Sequence, residues 1–276
     1  MLKKNVGFLF VAGILSAQTI RFAPLPMDNS IKLYKEYEGF IKYIERETKI
    51  KIKLVVAKSY KELIDKFSKK KIDIAEFGAL PYLKLKNRYS YAKPFLTSLS
   101  KSGKTFYTCN FFTTDKNINT LKDIDKNTTI FLTNSRSTCG YLMSEDMLKM
   151  YNLSLKNLKY RYKKTHSNVV LYTVMNENSI GDVKSSIYKK YRYLKLKLLK
   201  KSTKIPSFSL IANTKSLKQD DIEKISKVLL KLNPSTNKKD RIVMKNWGKN
   251  IKYGFIKTPS NMYQKINKIK KEIKIP

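Results

Sequence analysis

Seven consecutive residues, Asn134-Ser135-Arg136-Ser137-Thr138-Cys139-Gly140, bring together three hydroxyls, an amide and a thiol. An apolar strand end, Ile130-Phe131-Leu132, runs into them, and a helix-like segment from Tyr141 to about Met150 follows. Small and hydroxyl residues at a helix start leave several backbone N–H groups unpaired and aimed one way. With the positive end of the helix dipole, such a run can hold an oxyanion without a lysine. An ordinary Ser/Thr cap uses the same residue types, so the rest of the chain has to decide between the two.

Other chemistries find less support. There is one histidine, His166, and no Cys-x-x-Cys spacing, so neither a metal site nor a cofactor is expected. Cys139 at a helix N-terminus with His166 as base would be the start of a Cys–His hydrolase. No orienting third residue stands at a known spacing, and a non-enzymatic protein is the reading adopted. The two cysteines, Cys109 and Cys139, leave three options open: a disulfide, a pair of thiols for a soft ligand, or two unrelated buried thiols.

Lys3 and Lys4 precede an apolar run from Val6 to Leu15, followed by Ser16-Ala17-Gln18. That pattern predicts a secretory signal peptide over 1–17 and a periplasmic protein; the run is too short to span a bilayer as a mature helix. Gln18 stands where a lipidated cysteine would be, and an uncleaved N-terminal anchor is the alternative. The formal charge of +37 suggests nucleic acid at first sight. However, only seven of the 58 basic residues are Arg, and the lysines are spread over the whole length, interleaved with apolar residues as in Ile50-Lys51-Ile52-Lys53-Leu54. They mark solvated faces, so no nucleic-acid partner is expected, although a basic surface raises encounter rates with small anions.

The elements that must position these residues alternate. Ile20–Ala23 reads as a strand. Tyr37, Phe40, Ile41 and Ile44 have amphipathic-helix spacing, Ile50 to Val56 alternates as a strand, Leu63, Ile64 and Phe67 belong to a helix, and Ile72–Phe77 is a third strand ending at Gly78. A β-α-β-α-β order implies a parallel sheet with its ligand beyond the carboxyl ends of the strands. The loops at 24–29, 59–60 and 77–82, with Phe77 and Gly78 in the last, then share one rim. A second set of strands and helices spans about 107–205. Ile205–Ile211 returns in extended form, and helices follow at 220–232 and 262–273.

Several segments together resemble a known family. Tyr60-Lys61-Glu62-Leu63-Ile64 with Lys71-Ile72-Asp73-Ile74-Ala75-Glu76-Phe77-Gly78 resembles the "YxxLI…kiDIAxxG" run of periplasmic substrate-binding proteins for phosphate, phosphite and phosphonates. Ser137-Thr138-Cys139-Gly140-Tyr141 is similar to its "STSGY" anion loop, His166-Ser167-Asn168 with Val174-Met175-Asn176 to its histidine segment, and Ile205-Pro206 to its return crossover. The resemblance implies a type 2 periplasmic binding protein: α/β, two lobes, each a mainly parallel sheet flanked by helices, with two crossover strands as hinge. Lobe one would comprise 18–106 plus 206–276 and lobe two 107–205, with hinges near Phe106–Thr108 and Ile205–Ser207. It implies ligand contacts from Tyr60, Tyr107, Ser137, Thr138, Cys139 and His166, with Phe77 and Gly78 on the rim.

Departures from the family pattern matter. Cys139 and Cys109 stand where serines are usual, and a thiol is the poorer donor. The family's acidic position, which would pair with the amine of an aminoalkylphosphonate, is displaced, with Asp182 as its shifted equivalent. The function implied is capture of a small oxyanion for the membrane permease of an ABC transporter, by a monomer. The alternative is an input to a sensor kinase, for arsenite or another thiophilic oxyanion.

Overall fold

The computed structural model describes residues 19–26 and 30–275. The expected signal segment, and residues 27–29 of the first rim loop, lie outside these. The chain begins with β1 (Ile20–Ala23), α1 (Ser30–Thr48), β2 (Ile52–Leu54), α2 (Tyr60–Ser68), β3 (Ile74–Phe77), α3 (Ala79–Lys86) and β4 (Ala92–Ser98). It crosses through β5 (Phe106–Tyr107) into β6 (Cys109–Thr113), β7 (Thr129–Leu132), α4 (Met143–Lys149), β8 (Lys159–Tyr162), α5 (His166–Val174), β9 (Ser179–Lys184), α6 (Ser185–Lys190) and β10 (Lys197–Lys201). It returns through β11 (Ile205–Pro206) to β12 (Ser209–Asn213), α7 (Gln219–Leu230), α8 (Lys238–Val243), β13 (Phe255–Lys257) and α9 (Gln264–Glu272).

Two sheets result, of order β13-β4-β12-β3-β1-β2 and β10-β6-β9-β7-β8. Both are mixed rather than mainly parallel. β1 pairs in parallel with β2 and β3, but β12 inserts antiparallel between β3 and β4. In the second sheet β7 pairs in parallel with β8 and β9, whereas β6 runs antiparallel to β9 and β10. The sequence shows why this order was hidden: β12, Ser-Leu-Ile-Ala-Asn, is buried at every position, and a strand buried on both faces has no alternation from which to read its direction. The two crossings pair with each other, Ile205 opposite Tyr107 and Pro206 opposite Phe106, as a two-stranded ribbon between the sheets.

Amphipathic spacing sets the layers. α1 buries Leu33, Tyr37, Phe40, Tyr43 and Ile44, and Phe40 packs edge-on to Trp247 at 5.3 Å; burying such a ring contributes about 1.5–3 kcal/mol. Beneath it, Arg21 grips Asp73 with two side-chain bonds of 2.6 and 2.7 Å, and the Ser216 hydroxyl donates to the same carboxylate. The Asp of the Lys71–Gly78 run is therefore a clamp between β1, β3 and the turn after β12. One apolar cluster runs through both lobes, from Phe67 and Phe77 to Leu132 and Met147, while the outer faces have clusters of their own. Among the described residues, no helix is long and apolar enough to cross a membrane.

Candidate functional site

The Asn134–Gly140 run lies where expected, between β7 and a helix, but its helix starts differently. Thr138–Leu142 forms a wide π-helical turn, and the α-helix begins only at Met143. Two constraints accompany this. Asn134 turns the chain by accepting the Arg136 N–H on its side chain at 2.8 Å. Gly140 then presses so close to Asn134 that a Cβ there would lie 2.0 Å from the Asn134 carbonyl oxygen. Only glycine fits. Ser137 and Gly140 donate their N–H groups to the Asn134 and Ser137 carbonyls, which leaves those of Thr138 and Cys139, with no acceptor within the turn, as the loop's backbone donors. The seven-residue α4 behind it contributes little dipole.

The second lobe brings this loop against the first. Thr138 is buried, and its Oγ1 accepts the Leu80 N–H at 3.1 Å. Tyr60, first residue of α2, comes from a helix capped by Ser59, whose hydroxyl accepts the Glu62 N–H. Gly78 precedes α3, and a Cβ there would meet the Phe208 ring at 3.2 Å. From the crossings come Tyr107 and Phe208, whose rings stack at 5.9 Å. His166 opens α5, held by the Thr165 cap. Together with Ser137, Cys139, Pro81 and Lys184, these residues line a small, partly open cavity of about 20 Å³.

Electrostatics inside are set by burial. Loss of solvent drives the Tyr60 phenol far above its ordinary value and pushes Tyr107 up to about 12, with the Thr138 hydrogen bond pulling Tyr107 back in part. Both are protonated donors at neutral pH. His166 is lowered to about 4, first by burial and then by the Lys184 charge, so its ring is neutral. The Lys184 backbone N–H reaches its Nδ1 at 3.4 Å, which leaves the proton on Nε2. Lys184 falls to about 8 through burial, opposed by the carboxylate of Glu76. Glu76 itself rises to about 7, again through burial, although Tyr37 donates to it.

Seven of the nine residues singled out in the sequence therefore meet at this cavity: Tyr60, Gly78, Tyr107, Ser137, Thr138, Cys139 and His166. Two do not line it. Phe77 points into the core, edge-on to Phe67 at 6.0 Å, because the residue before the rim glycine alternates to the other face of β3. Asp182 is fully buried within lobe two, where Ser144 donates to Oδ2 at 2.8 Å, and burial raises its pKa well above the ordinary value. The acidic residue is thus an internal strut behind the loop. Lys184 and Phe208 were missed. Lys184 ends β9, a carboxyl-end position of the kind that faces ligand, but nothing in the sequence distinguished it from the many other lysines.

Cys109 and Cys139 form a disulfide, with Cα atoms 5.5 Å apart, and no cysteine is free among the described residues. Of the three options left open for the cysteines the structure has the disulfide, and the alternatives that need a free thiol fall with it. A sulfur bonded to Cys109 is not the nucleophile of a Cys–His hydrolase, and a pair of bonded sulfurs offers no thiolates to arsenite or another soft ligand. The disulfide staples β6 to the loop, so Cys139 presents a wall rather than a reactive group. Among the described residues, no group of three His, Cys, Asp or Glu side chains could hold a metal ion.

The fold has relatives among solved structures. Solved structures with the same architecture include a binding-protein component of an ABC phosphonate transporter from Pseudomonas aeruginosa, 19% identical, TM-score 0.75, covering 91% of this chain and 85% of that one. A Prochlorococcus marinus protein solved in complex with methylphosphonate is 17% identical, TM-score 0.73, covering 92% and 97%. A Xanthomonas citri protein solved with chloride is 16% identical, TM-score 0.75, covering 92% and 99%. At these identities the structures establish the two-lobe fold alone. The sequence itself matches the family described as "ABC transporter, phosphonate, periplasmic substrate-binding protein" over residues 22–263. The chain therefore belongs to the periplasmic substrate-binding proteins of phosphonate ABC transporters.

Proposed function

We propose that this protein captures a small phosphorus oxyanion (phosphate, phosphite or a short phosphonate) between its lobes and delivers it to a membrane permease. The carrying observation is the convergence of donors on one cavity: Ser137 and Thr138, the phenols of Tyr60 and Tyr107, and a neutral imidazole. Hydroxyl, N–H and phenol donors suit oxygen acceptors, and enclosure away from water strengthens each bond. The cavity has room for few heavy atoms, which favours a compact anion over an extended one.

Lobe one would run over 18–106 plus 206–276 and lobe two over 107–205, hinged at the β5–β11 ribbon. Ligand would favour the closed form, whose joined surface the permease reads. The disulfide suits an oxidising compartment, in keeping with export, and the protein would act as a monomer without catalysis. Thermal-shift measurements on the exported protein with phosphate, phosphite, methylphosphonate and, as comparators, sulfate and an amino acid test the reading. A raised melting temperature with at least one phosphorus oxyanion is expected. No shift with any of them at millimolar concentration would overturn it.

A further inference from the structure

We infer that Lys184 is the counter-charge that fixes the ligand class of this cleft: anions with no cationic substituent, with zwitterionic aminoalkylphosphonates excluded. This rests on the oxyanion reading above and deepens it. Lys184 lines the cavity beside Ser137, Thr138 and His166. Its Nζ lies 4.7 Å from the Tyr107 ring centroid and 4.6 Å from that of Phe208, so the two stacked rings hold it by their faces. Among the described residues, Nζ has no carboxylate within ion-pair distance and no hydrogen-bond acceptor. Cation–π contact orients an ammonium but accepts none of its three N–H bonds. The side chain is half-buried in the cleft, and an ammonium partly withdrawn from water with its donors unspent favours an anion that completes the site.

The charges around it point the same way. None of the residues lining the cavity is acidic. Glu76, the nearest acid felt by Lys184, lies behind the wall on β3, accepts from Tyr37, and is held partly protonated near neutral pH by its burial. Asp182, the other buried acid nearby, is held by Ser144. A ligand ammonium entering this cleft would face a like charge and find no carboxylate of its own. The site thus rejects through Lys184 as well as attracting, and a difference of affinities built from both is the stronger discriminator.

Calorimetry with an isosteric pair reads this directly. Ethylphosphonate and aminomethylphosphonate share head group and size, and differ by a methyl against an ammonium. In the wild type, ethylphosphonate should bind at least about tenfold more tightly, the scale of one charge-assisted interaction. In Lys184→Gln, ethylphosphonate should weaken about tenfold or more and the gap should shrink to about threefold or less, while Lys184→Arg should keep the preference. Equal affinities in the wild type, or undiminished ethylphosphonate binding by a folded Lys184→Gln, would overturn the inference and leave the oxyanion reading standing. Should Lys184→Gln fail to fold, the wild-type pair still decides. Binding of neither member, nor of phosphate or phosphite, would instead overturn the oxyanion reading itself.

Discussion

Thr138 caps a helix that belongs to the other lobe. The Leu80 N–H, second in α3, donates to Thr138 Oγ1 at 3.1 Å, while Gly78, at the cap position, has no side chain with which to do so. An N-cap hydroxyl ordinarily precedes its helix in sequence by a few residues; here it arrives from 58 residues away. One hydroxyl therefore joins the two lobes and faces the cavity at the same time.

Replacing Thr138 with Val should accordingly weaken oxyanion binding by about 1–3 kcal/mol, the cost of leaving a buried partner unpaired. Thr138→Ser should recover most of it. Small-angle scattering on the valine variant should show a larger radius at saturating ligand than the wild type shows. Equal affinity and equal dimensions would separate Thr138 from both roles.

The disulfide closes a loop with a sequence separation of 30. Loops of this size are worth about 2–4 kcal/mol when linked. Reduction, or Cys109→Ser with Cys139→Ser, should lower stability by that amount and weaken anion binding as well, since Cys139 borders the cavity. Denaturant titrations with and without reductant check the first, and calorimetry the second. Unchanged midpoints would mean that the bond does not form in the protein.

Asp182→Asn should leave ligand affinity within about twofold, because the carboxyl lies behind the loop and bonds Ser144. Asp182→Leu removes the acceptor and should cost about 1–3 kcal/mol of stability. A large affinity loss in a stably folded Asp182→Asn would return this residue to the ligand.

Two groups impose opposite pH slopes on stability. His166 is depressed to about 4 against an unfolded 6.5, so the unfolded chain binds more protons between those values and stability falls as pH drops through the window. Glu76 is raised to about 7 against 4.5; the native state binds the extra proton, and stability falls as pH rises through that window. His166→Gln isolates the first. Its urea midpoint should approach that of the wild type, or exceed it, at about pH 5 relative to their difference at about pH 7. Ligand affinity has its own dependence: Lys184 loses its charge above about 8, so affinity for an anion of constant charge should decline on the alkaline side.

How much was legible follows from which physics is local. The Ser137–Gly140 run, the Tyr60 helix start and the crossings at Phe106 and Ile205 all carry residue types whose role follows from near neighbours. The mixed sheets did not, because Ser209–Asn213 is uniformly buried and its pairing with both β3 and β4 is set by contacts far away in sequence. Nor did the π-helical turn, which answers to the approach of Gly140 to Asn134. Lys184, not the expected Asp182, lines the cavity for a simple reason. The two side chains sit two apart on β9, so they share a face, and it is the strand end that reaches the cleft. A lysine in a lysine-rich chain gives no hint of this.

The central claim is that a phosphorus oxyanion binds among Thr138, Tyr60, Tyr107 and His166. Calorimetric titration of phosphite and methylphosphonate into the wild type, beside Thr138→Val, tests it most directly. Saturable one-to-one binding of at least one anion, weakened about fivefold or more by the substitution, is the expected result. Binding of neither anion, or binding with equal affinity by both proteins, would contradict it.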